Sequence, residues 1–91
     1  MDFQFTPHAI ERLLGRYGSL VAYGEVQAAV SAKCANGQLR KGDNEVLVKT
    51  LPNVIEVKDE TALNGRTRGT KVMALLHVNG VGAFIDTIVL R

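Results

Sequence analysis

The sequence predicts an α+β domain: a short N-terminal strand, an antiparallel pair of helices, then an antiparallel meander of about four strands. Three observations carry this. Apolar residues recur at helical spacing as far as Asn36-Gly37 and with a period of two beyond it. Thr6-Pro7 marks a helix start. Asn79-Gly80 marks a hairpin between the two longest alternating runs.

Asp2 to Thr6 alternates, with Phe3 and Phe5 on one face and Asp2, Gln4 and Thr6 on the other, which is strand patterning. Thr6 can cap the next element with its hydroxyl, and Pro7 then takes the first helical position, where its missing N–H costs nothing. Ala9 excludes a capping box, but Phe5 and Ile10 stand at hydrophobic-staple positions. Ile10, Leu13, Leu14 and Tyr17 make the apolar stripe, and Gly18 suits a left-handed cap after it. The opposite flank carries His8, Arg12 and Arg16 at i, i+4 and i+8.

Ser19 to Ala22 reads as a connection. From Tyr23 onward Val26, Ala29, Val30 and Lys33/Cys34 repeat at helical spacing, and Asn36-Gly37 ends the run. A short link between two helices predicts an antiparallel pair. Gln38 to Lys41 then reads as a short strand, Gly42-Asp43-Asn44 as a turn, and Glu45 to Leu51 and Val54 to Lys58 as strands broken at Pro52-Asn53. Asp59 to Gly69 is a loop holding Arg66 and Arg68. Thr70 to Val78 and Val81 to Leu90 are the final strands. A two-residue turn at Asn79-Gly80 sets Val78 against Val81, Leu76 against Ala83, Ala74 against Ile85 and Val72 against Thr87. The other face then carries Lys71, Met73, Leu75, His77, Phe84, Asp86 and Ile88, also largely apolar. Asp86 there needs a partner, with Lys71 and His77 as candidates. Helices cover one face only. The second calls for a protein partner, a second copy of the chain, another macromolecule, or the Asp59 to Gly69 loop.

Ninety-one residues make one domain, spanning 1–91. The net charge of +2 is mild, and tryptophan is absent, so a base-stacking surface for single strands has little to work with. Arg66, Arg68 and Lys71 form a modest anion-attracting spot. Cys34 is the one cysteine and reads as a small buried helix residue; no Cys/His cluster has metal-ligand spacing. The start of the chain does not read as a signal peptide, and no apolar run approaches the ~20 residues of a membrane span. The expectation is a cytoplasmic protein without cofactor or metal.

The order strand, helix, helix, meander, with His8, Ala9 and Arg12 opening the first helix and Thr87-Ile88-Val89 in the last strand, resembles a known group. It is similar to the small RelE/BrnT-like domains of the barnase/EndoU/colicin/RelE-type nuclease class, in a branch of unknown function whose first helix begins His-Ala-x-x-Arg. The resemblance implies metal-independent RNA cleavage, as in toxins neutralised by a protein partner. Such cleavage needs a base for the 2′-hydroxyl, cations for the phosphate and a donor for the leaving oxygen. On this reading His8 is the base or a hydrogen-bonding group, Arg12 a phosphate clamp and Thr87 an orienting hydroxyl. Arg16, Arg66, Arg68, Lys71 and Arg91 would hold the RNA backbone. The weak net charge and the two-sided apolar sheet carry a rival expectation: a non-catalytic protein-binding module, such as a phage or mobile-element inhibitor of a host defence system, or a toxin–antitoxin partner.

Overall fold

A computed structural model describes residues 3–60 and 62–91. Asp2 of the first alternating run and Thr61 of the long loop lie outside the described residues. The elements run β1 (Phe3–Phe5), α1 (Pro7–Gly15), α2 (Tyr23–Ala35), β2 (Gly42–Lys58), β3 (Arg66–Val78) and β4 (Ala83–Leu90). The fold is α+β: a strand, two helices and three strands that together make one mixed four-stranded sheet, ordered β1-β4-β3-β2. β1 is parallel to β4, and the other neighbours are antiparallel.

Thr6 joins the two layers. Its hydroxyl oxygen accepts the Ala9 N–H at 3.1 Å, and the hydroxyl donates to the Asp86 carbonyl at 3.1 Å. Its own N–H donates to the Ile85 carbonyl at 3.0 Å. The cap is therefore also a clamp to β4, and it fixes how α1 is rotated. Ala9, Leu13 and Tyr17 turn inward, while Ile10 and Leu14 are 39% and 73% exposed. The expected stripe is thus shifted: small Ala9 faces the sheet where Ile10 was expected. The expected staple gives way to a stack of Phe5 on Tyr23, ring centroids 4.3 Å apart. The helix also ends earlier than Tyr17-Gly18, with Arg16 as C-cap.

α2 follows its pattern more closely. Val26 and Val30 are fully buried, and Ala29 packs beside them. Ala22 has no capping oxygen, but Glu25 reaches back to accept its N–H at 3.0 Å. Gly37, at φ 67°, terminates the helix in the left-handed region, as the Asn36-Gly37 pair predicts.

The meander has three strands, not about four. Gln38 to Lys41 lies outside the sheet, and Asn44 holds that segment by accepting the Arg40 N–H and donating to its carbonyl. The segments either side of Pro52 are one strand, β2, interrupted by a bulge: Thr50 sits opposite Lys71 and Ile55 opposite Gly69. β2 is an edge strand, so Pro52 needs no outer partner for its missing N–H. At the other side of β3, Gly69 comes so close to the Arg91 backbone that a Cβ would lie 2.1 Å from its carbonyl carbon. The N–H groups of Thr70 and Lys71 both donate to that carbonyl.

The hairpin departs from a two-residue turn. Val78 pairs with Ala83, leaving Asn79 to Gly82 as the loop. The Asn79 side chain accepts the N–H groups of Val81 and Gly82 at 2.8 and 3.2 Å, so it builds an Asx-type turn. Leu76 now meets Ile85, and a bulge at Asp86 sets Leu75 against Thr87, Ala74 against Ile88 and Val72 against Leu90. The bulge reverses the parity of the strand's end. Ile88 and Leu90 enter the core, and Thr87 moves to the open face. Asp86 is left exposed at the bulge. His77 takes Asp43 as its partner, Nδ1 to Oδ1 3.1 Å, in place of the expected Asp86. Among the described residues, no helix is long and apolar enough to cross a membrane.

Candidate functional site

The polar flank of α1 is a consequence of that rotation. With Ala9, Leu13 and Tyr17 inward, His8, Glu11, Arg12, Gly15 and Arg16 line a shallow cleft of about 300 Å³, closed on one side by Glu60. His8 is exposed in the first helical turn. The two arginines are more constrained. Asp59, at the end of β2, accepts from Arg16 Nη1 at 2.8 Å and from Arg12 Nη1 at 3.4 Å. The three side chains are only 15–18% exposed. Each guanidinium retains further N–H groups, since arginine has five and the pairing engages one nitrogen. Asp59 thus holds both forks in a fixed place and also cancels part of their charge.

Tyr17 lies just beneath. Burial pushes its phenol above the ordinary value of 10.0, and the Asp59 charge pushes the same way. Arg16 and a hydrogen bond to the Leu90 backbone oppose the shift. Asp59 is therefore the hub of this corner, joining α1 to the β2–β3 loop. Nothing local in the sequence singles it out, because its partners are more than forty residues away in the chain. Glu11 and Glu60, which give the cleft its acidic rim, were likewise outside the expected site.

The remaining expected residues lie elsewhere. Thr87 lines a different and larger cleft of about 710 Å³ with Lys33, Arg40, Asn44, Leu76 and Asp86. Its hydroxyl donates to the Ile88 carbonyl at 3.4 Å. Arg91 is paired to Glu45 at 2.6 Å and Arg66 to Glu56 at 3.7 Å. Arg68 and Lys71 are exposed on β3. None of these five lines the cleft of His8 and Arg12. The fold therefore unites His8, Arg12 and Arg16 and leaves the other expected residues apart from them. Among the described residues, no cluster of His, Cys, Asp or Glu has the makings of a metal site. Comparison with known families, with curated proteins and with solved structures gives no match for this chain.

Proposed function

We propose that the chain is a RelE/BrnT-like domain that acts on RNA through the polar flank of α1. The observation that supports this reading is the meeting of His8, Arg12 and Arg16 in one cleft, with Asp59 fixing both guanidiniums. In the reaction, His8 would take the proton of a ribose 2′-hydroxyl, and the free N–H groups of Arg12 and Arg16 would bind the oxygens of the phosphate under attack. The bond formed is from the 2′-oxygen to phosphorus and the bond broken is to the 5′-oxygen, which takes a proton from water as it leaves, while His8 returns its proton to solvent. The products are a cyclic phosphate and a free 5′-hydroxyl. Total RNA incubated with purified protein and chelator tests this. Cleavage should fall about 100-fold or more in His8→Ala, and growth arrest on expression should disappear with it.

A second reading has its own support. Asp59, Glu11 and Glu60 surround the two arginines, so the flank is close to neutral and attracts a polyanion only weakly. That favours a non-catalytic module that binds a protein, as an inhibitor of a host defence system or a toxin–antitoxin partner would. Intact RNA with the wild-type chain, together with a stoichiometric protein partner still captured by His8→Ala, would establish it over the first.

A further inference from the structure

We propose that the sheet face turned away from the helices is where two copies of this chain meet across a two-fold axis. Strand alternation puts Leu47, Met73, Leu75, Phe84 and Val89 on that face, and none of them is fully buried; Leu47 is 44% exposed. Asp59, where the β2–β3 loop begins, bonds to α1 on the other side of the sheet. The argument for a second copy is the charge layout. One end of the face carries Asp43, whose side chain is 95% exposed, beside His77. The other end carries exposed Lys71, six residues further back along β3, or about 20 Å. Between them Glu45 and Arg91 satisfy each other at 2.6 Å. A two-fold axis lying in the interface, parallel to the sheet and crossing the strands near Ala74, lays Asp43 of each copy over Lys71 of the other, with the apolar side chains between, so the face complements itself. The two longer dimensions of the molecule, 36 and 24 Å, bound a face large enough for the ~800 Å² per partner of a standard interface. Edge-to-edge pairing is the poorer route, because two register shifts and Pro52 interrupt β2.

Light scattering and sedimentation across the micromolar range test the dimer. The wild type should pass from monomer to dimer with rising concentration, and Leu47→Asp should remain monomeric. Asp43→Lys and Lys71→Glu should each weaken self-association about tenfold or more, since each sets like charges together twice. Mixed in equal amounts, those two variants should form a heterodimer as tight as the wild type, because both contacts are then opposite in charge. All three positions are exposed, and thermal melts confirm that the variants are folded. A wild type monomeric at every concentration, a dimer that survives Leu47→Asp, or a mixture no tighter than its components would overturn the proposal.

Discussion

Leu75 and Leu76 are neighbours in the chain and point to opposite faces of the sheet. Leu76 is 2% exposed beneath the helices, while Leu75 is only half-buried on the open side. The same contrast runs along β3 and β4. On the helix side Val72, Ala74, Leu76, Val78, Ala83, Ile85, Ile88 and Leu90 are all at most 4% exposed. On the other side Met73, Leu75, Phe84 and Val89 keep some contact with solvent, with charged side chains at the margins. Two faces of similar composition thus have different environments. Composition follows from the alternation, but burial depends on where two short helices are clamped.

The sharpest way to test that contrast is to truncate the two leucines in turn. Leu76→Ala should cost about 2–5 kcal/mol, because it removes a close-packed side chain and leaves a cavity. Leu75→Ala should cost about 1 kcal/mol, the value of a side chain that water already reaches. Denaturant midpoints, measured at concentrations too low for self-association, give both numbers. Equal losses would mean that the open face is as closed as the core.

The sequence made the first face legible and the second only half so. Helical spacing and the Asn36-Gly37 stop located α2 correctly, and Thr6-Pro7 located the start of α1. The rotation of α1 was not legible, because it is set by Thr6 bonding to Ile85 and Asp86 some eighty residues away. The side of the sheet on which Thr87 sits depends on a bulge at Asp86, and a period of two carries no trace of a bulge. Asn79-Gly80 announced a hairpin, but the Asn79 side chain selected a longer loop than the pair usually makes. The site divides the same way. His8, Arg12 and Arg16 share a flank because helix geometry requires it, whereas Asp59 reaches them only through the tertiary fold.

A titration separates the sealed side from the rim with a smaller effect. Tyr17 is 1% exposed, and burial raises its phenol above 10.0. The folded chain therefore keeps a proton that the unfolded chain gives up. The sign follows from linkage: the stability present below pH 10 is lost as pH rises through the ordinary value toward the raised one. Tyr17→Phe should remove that alkaline decline, at a cost near neutrality of about 1 kcal/mol for the lost hydrogen bond. Unfolding midpoints from about pH 8 to about pH 11 test it. An unchanged slope in the variant would place the alkaline transition on another group.

Glu25 probes the rim of the same helix layer and should give the smallest change. Its carboxylate accepts the Ala22 N–H at 3.0 Å and lies 3.2 Å from Lys49 Nζ, with side chains 43% and 37% exposed. The Ala22 hydrogen bond first, and Lys49 second, hold its pKa below 4.5. Here the unfolded chain takes up the proton before the folded one. The contribution is therefore complete above pH 4.5 and fades as pH falls through that value toward the lowered one. Glu25→Gln keeps an acceptor for Ala22 and removes only the charge. The variant should match the wild type closely at neutral pH, and its acid slope should be shallower. Added salt should narrow the remaining difference, because both side chains are open to solvent. A large loss in Glu25→Gln at neutral pH would mean that the Lys49 pair, and not the helix cap, is what holds α2 against β2.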